Sequence, residues 1–209
     1  MKKFVISLTQ CAVMLALSVA LSFIKLWSMP LGGSVTLVSM LPICLIAIKF
    51  GLPQGLGTAF VYSLFQLLQA IIEGDVFIYC EGWITVVVCV FFDYLLPFTV
   101  LGLAGIFKKF HLLHEKKNGE IKEIRYFGIY LGLSLAVFLR FICHFVTGVV
   151  IWGQWAPDGM GKFGYSLLYN GGYLLPELIL TLIVAALVLA NSQMKKLLEI
   201  KASDLKMNC

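Results

Sequence analysis

The sequence predicts an all-α integral membrane protein: one membrane domain over residues 1–209, folded as a six-transmembrane-helix bundle with both termini cytoplasmic. Three observations carry this. First, 60% of the 209 residues are hydrophobic, only 13% are charged, and the mean hydropathy is +0.95. A soluble domain holds about 45–50% apolar and about 25% charged residues, so this chain lacks the polar surface that water requires. Second, the apolar residues fall into six runs, each near the roughly 20 residues that cross a bilayer. Third, 13 of the 16 basic residues lie at alternate ends of those runs.

The first run, about Phe4–Ile24, follows Lys2-Lys3. Its length, with no soluble region after it, marks an uncleaved span rather than a signal peptide. The second, about Val35–Phe50, stops at Gly51-Leu52-Pro53, a turn signal. The third covers about Gln54–Ile72 and precedes an acidic loop with Glu73, Asp75 and Glu81. The fourth runs from about Trp83 to Phe107, and the hydrophilic connector Lys108–Arg125 follows. The fifth is about Tyr126–Ile151 and the sixth about Phe163–Asn191, before a basic tail. The opposite loops hold only Lys25 and Lys162, and Arg140 lies within the fifth span. By the positive-inside rule the basic side, with both termini, faces the cytoplasm. The formal charge of +5 is therefore a topology signal rather than a nucleic-acid footprint. Six scattered cysteines form no Cys-x-x-Cys pair, so neither a metal knuckle nor a disulfide framework is indicated.

Ionisable side chains within a span cost at least ~2.5–3.5 kcal/mol at the helix centre and so tend to mark a site or an internal pair. The candidates are Asp93, Arg140, His144 and Glu177, with Asn170 nearby. Arg140, His144, Gly148 and Trp152 recur every four residues, on one helical face. Cation, imidazole, a missing side chain and indole in that order suit the wall of a flat pocket, with Gly148 leaving room for a ring. Arg140 and His144 also suit internal pairs with Asp93 or Glu177. Asn170 offers donor and acceptor together, which matches an aminated heterocycle or a bond between helices. Asp93, beside Tyr94, needs a cation: Arg140, or a ligand held by carboxylate and aromatic faces together. Glu177 follows Pro176 and reads as structural, bonding backbone that the proline frees. Ala12, Ala16 and Ala20 form a smooth strip on the first span that a partner helix could approach closely. The outer loops, Lys25–Ser34 and Trp152–Gly161, combine Gly and Pro with Trp, as a tight lid at the membrane boundary would. No phosphate-binding Gly-rich loop, His-Glu-x-x-His or Gly-x-Ser-x-Gly element occurs in the sequence.

On these residues the chain resembles the thiamin-binding S-components (ThiT family) of energy-coupling factor (ECF) vitamin transporters, over essentially all six spans. His144, Gly148, Trp152, Tyr165 and Asn170 stand at the spacing of that family's ligand-binding residues, and Asp93-Tyr94 resembles its acidic–tyrosine pair. Trp27 is the nearest candidate for the tryptophan that closes the site, and Trp83 and Arg140 fall near pocket positions. The Ala12/Ala16/Ala20 strip resembles the docking motif for the shared transmembrane subunit. The resemblance implies a non-enzymatic subunit of the bacterial plasma membrane with no cofactor. It would take thiamin from outside and deliver it together with an ECF transmembrane subunit and two ATPases. Alternatives are an S-component for another vitamin or precursor, and an integral-membrane enzyme using Asp93 and His144 as acid and base.

Overall fold

The computed structural model describes residues 2–74, 77–107 and 127–191. The connector carrying Lys108 to Arg125, the basic tail and Asp75 lie outside the described residues, and with them most of the charge pattern that oriented the spans.

Helix α1 (Lys2–Ser22) leads into a hairpin of β1 (Lys25–Ser28) and β2 (Ser34–Thr36). Helix α2 (Leu41–Phe50) turns sharply into α3 (Leu52–Glu73). One helical run, α4 (Gly82–Gly105), follows a short 3-10 turn at Phe77–Tyr79. Helix α5 (Phe127–Val150), a 3-10 turn at Trp152–Trp155 and α6 (Lys162–Ala190) complete the order.

Among the described residues five helices are long and apolar enough to cross a membrane: Phe4–Ser22 within α1, then α3, α4, α5 and α6. Their bounds match five of the six expected spans within about three residues. The second span differs. Val35 and Thr36 are strand residues paired with Trp27 and Lys25, and helix begins only at Leu41, with Pro42 in its first turn. At 1.5 Å per residue its ten residues extend only about 15 Å. Hydropathy could not separate this strand and turn from the helix because Val35–Phe50 is apolar throughout. The break lies at Val38, whose φ of 49° no β-branched residue adopts without cost. Helix α2 is buried from Leu41 to Ile48 on all faces, as an apolar helix at a bundle centre must be. Gly51 (φ 92°) ends it, returning its N–H to the Ala47 carbonyl at 2.9 Å.

Around α2 pack Tyr62 of α3, Phe98 and Leu101 of α4, and Leu133 and Ala136 of α5. Small residues bring the backbones together: a Cβ on Gly105 would strike the Ala47 carbonyl, and one on Gly132 the Ala104 carbonyl. Helix α1 lies outside this core. Ala12, Ala16 and Ala20 are exposed, while Cys11, Ser18 and Ser22 face inward.

Helix α4 is not regular. It runs as α-helix over Gly82–Cys89, π-helix over Val90–Leu95, α-helix over Leu96–Thr99 and 3-10 over Val100–Gly105. Pro97 has no N–H for the ladder and crowds the carbonyl one turn back. The chain adjusts with a wider turn, in which Leu96 N–H reaches Phe91 O five residues back. Such π turns frequently sit at functional sites, and this one carries Asp93 and Tyr94.

Candidate functional site

A cavity of about 410 Å³ lies between the β1–β2 hairpin, the end of α3, the π turn of α4 and the facing parts of α5 and α6. That volume falls within the usual range of small-molecule sites.

Asp93 is the electrostatic centre of its wall and is only 9% exposed. Thr147 Oγ1 and His144 Nδ1 both donate to its Oδ1, the imidazole at 2.9 Å, and Trp152 Nε1 donates to Oδ2 at 3.0 Å. Arg140 Nε–H donates to His144 Nε2 at 3.3 Å. That nitrogen must therefore be the acceptor, and the imidazole is the neutral tautomer with its proton on Nδ1. The carboxylate is thus held by three neutral donors. These offset part of its desolvation cost without cancelling its charge.

The arginine sits behind the histidine. Its guanidinium lies 4.4 Å from the Phe98 ring centroid, and Nη1 reaches Met40 Sδ at 2.8 Å. Among the described residues no carboxylate lies within salt-bridge distance of it. Of the two internal pairings the sequence left open, the structure chooses a relay: Arg140 to His144 to Asp93. Glu177 takes no part. Fully buried, it accepts a hydrogen bond from Thr36 Oγ1 at 2.6 Å and ties α6 to β2, rather than bonding backbone freed by Pro176.

Asn170 lines the cavity, but its amide is already engaged. Nδ2 donates to the His144 carbonyl (3.1 Å) and the Ser166 carbonyl (3.0 Å), and Oδ1 accepts from Tyr173 Oη at 3.2 Å. It joins α5 to α6, leaving one lone pair of Oδ1 for a ligand. Gly148 leaves no empty space for a ring. A Cβ there would strike Ser166 Oγ and Asn170 Nδ2, so the missing side chain serves the close crossing of α5 and α6.

The cavity brings together Asp93, Tyr94, Arg140, His144, Trp152 and Asn170. Four further candidates are not among its walls. Gly148 lies behind them, and Tyr165 packs against the cluster of Cys89, Ile151 and Trp152 with its ring 5.7 Å from that of Tyr169. Trp27 and Trp83 point outward, 54% and 75% exposed.

Sequence reasoning missed Thr147, three residues after His144 and so beside the four-residue stripe. It also missed the rim, where Lys25 Nζ pairs with Glu73 Oε2 at 2.8 Å. Glu73 Oε1 accepts from Gln69, whose Oε1 accepts from Ser22 at 2.9 Å. Lys25 and Glu73 were visible only as loop charges, because their meeting depends on the hairpin.

Chemically, the site offers a buried carboxylate, a buried guanidinium set back from it behind His144, aromatic faces from Tyr94, Trp152 and Tyr173, and few free hydrogen-bonding groups. The carboxylate together with those faces suits a flat organic cation.

The comparisons with known proteins agree with one another. A family model described as "Thiamine transporter protein (Thia_YuaJ)" matches residues 8–197. "Thiamine transporter ThiT" of Bacillus subtilis (strain 168) is 30% identical over 188 residues, covering 89% of this chain and 91% of its own. A protein of the same name from Lacticaseibacillus paracasei is 27% identical over 192 residues, covering 90% of this chain and 88% of its own. The solved structure of ThiT from Listeria monocytogenes superposes with a TM-score of 0.69 at 23% identity, over 91% of this chain and 97% of that one.

Proposed function

The chain belongs to the thiamine transporter protein (Thia_YuaJ) family, and from that premise we propose that it captures thiamin from outside the cell in the cavity beside Asp93. It is a multi-pass membrane transport protein rather than an enzyme. The observation that carries the reading is the Asp93 carboxylate: buried, on a cavity wall and, among the described residues, hydrogen-bonded by the neutral donors His144, Thr147 and Trp152.

Thiamin matches this chemistry. Its thiazolium ring is permanently cationic, so it supplies the charge that Asp93 lacks. Attraction between the two strengthens where water is excluded. Its aminopyrimidine is flat and stacks on Trp152 or Tyr94, and its hydroxyl tail reaches the polar groups of the wall. Arg140 and His144 act mainly by holding Asp93 in place, and Tyr165 and Gly148 by supporting Trp152 and Asn170. Trp27 is assigned to closing the site from its outer edge, and Trp83 to the ligand-binding set, as the family resemblance implies.

Energy enters from elsewhere in this proposal. The chain is the S-component, a single membrane domain in the bacterial plasma membrane with both termini cytoplasmic. It delivers thiamin with an ECF transmembrane subunit and two ATPases. The exposed Ala12, Ala16 and Ala20 form its docking strip.

Titration of the purified chain with thiamin, read by tryptophan fluorescence, tests the reading. Asp93→Asn keeps the shape and removes the charge. We expect a loss of about 100-fold in affinity, equivalent to ~2.7 kcal/mol, with folding intact. Near-native affinity in that variant sinks the electrostatic assignment. A panel with pyrithiamin, thiamin monophosphate and unrelated vitamins separates thiamin from another cargo.

A further inference from the structure

Tyr169 stands one helical turn from both Tyr165 and Tyr173 on α6, and its hydroxyl does two things at once. It accepts the Gly33 N–H at 3.0 Å and donates to the Pro30 carbonyl. Between those two backbone groups lies the tip of the hairpin, whose Leu31 (φ 63°) and Gly32 (φ 92°) both occupy the left-handed region. Leucine resists that conformation, which persists only where its surroundings impose it. Among the described residues these two bonds are the ones that join residues 30–33 to the helices.

The fit is close. A Cβ on Gly33 would fall 2.8 Å from Tyr169 Oη and 3.0 Å from Tyr173 Cδ1. Pro30, Gly33, Tyr169 and Tyr173 all line the cavity, so the fastened tip is one of its walls. The Tyr169 ring centroid is 6.0 Å from that of Tyr173, which in turn lies 6.1 Å from the His144 ring. The fastening is thus built onto the same helix face that supports the Asp93 relay.

We propose that Tyr169 is a positioning residue whose hydroxyl clamps the Pro30–Gly33 tip against α6, and thereby sets how long a ligand stays in the cavity. The proposal rests on the reading of that cavity as the thiamin site. A ligand that enters or leaves past the hairpin must wait for both bonds to open, and they are already made in the ligand-free chain. The clamp therefore slows association and dissociation alike and leaves the equilibrium affinity little changed.

Two measurements on the full chain test this. Hydrogen exchange of the peptide containing residues 29–34, in ligand-free protein, should be about 10-fold faster in Tyr169→Phe than in the wild type. Stopped-flow fluorescence with thiamin should show dissociation and association both about 10-fold faster, with the affinity within about 2-fold of wild type, two hydrogen bonds being lost. Gly33→Ala pushes the phenol away and should give the same phenotype. The double variant should be no worse than either single one, since both break one device. Unchanged exchange overturns the proposal, as does additivity in the double variant or a dissociation rate left unaltered. A wild-type chain that fails to bind thiamin overturns the functional reading instead, and the exchange measurement then decides the clamp alone.

Discussion

The packing around α2 and the wall around Asp93 are built from the same helices by opposite means. Around α2 the contacts are mostly apolar, apart from Lys49 Nζ donating to Gln10 Oε1 at its end, and the backbones meet where glycines remove side chains altogether, as at Gly105 against Ala47 and Gly132 against Ala104. Around Asp93 the side chains keep their polar groups and satisfy them on one another: Arg140 on His144, His144 and Thr147 and Trp152 on Asp93, Asn170 across to the α5 backbone. Dispersion and close fit hold the first region. Directed hydrogen bonds hold the second, and they leave a cavity open without letting its walls collapse. Damage to the first should thus appear as lost stability, and damage to the second as lost affinity.

The comparison can be broken most forcefully in the core. Gly132→Val places two methyl groups against the Ala104 carbonyl, which is backbone and cannot yield cheaply. Overpacking of this kind costs ~3 kcal/mol. It should lower the thermal midpoint by about 10 °C, with the thiamin affinity of the remaining folded protein within about 2-fold of wild type. In the wall, Trp152→Phe keeps a ring but removes the N–H that donates to Asp93 and the best of the cation-binding faces. Affinity should fall about 10-fold while the thermal midpoint moves by about 2 °C or less. If the two readouts changed together in both variants, the division between packing and positioning would fail. The smallest effect on stability and affinity belongs to neither region. Ala16→Leu lies on the exposed face of α1 and should leave binding by the isolated chain unchanged, yet abolish uptake in cells carrying the complete transporter. Full uptake would remove the docking role from the alanine strip.

The same division explains what the sequence disclosed. Five helices were legible because a span is a local property: about twenty apolar residues with polar ends. Arg140 and His144 were legible as a pair because residues four apart share a helix face, whereas Trp152 reaches Asp93 from the 3-10 turn beyond that helix. The short α2 was not, because a buried strand, a turn and a buried helix are equally apolar, and only the positive φ at Val38 separates them. Nor were Met40, Lys25 and Glu73, whose roles arise only when distant segments meet. Gly148 shows the limit most clearly: a missing side chain signals closeness, but not whether a ligand or a neighbouring helix comes close. Here Ser166 and Asn170 do.

The π turn of α4 has a consequence for the helix as a whole. Each residue of an α-helix advances by about 100° around the axis, so a turn that holds an extra residue works as a torsional joint. The stripe that meets lipid on the Trp83 side no longer lines up with the one beyond Pro97. One continuous rod can then aim Asp93 into the cavity while seating Leu101 and Ala104 in the apolar core.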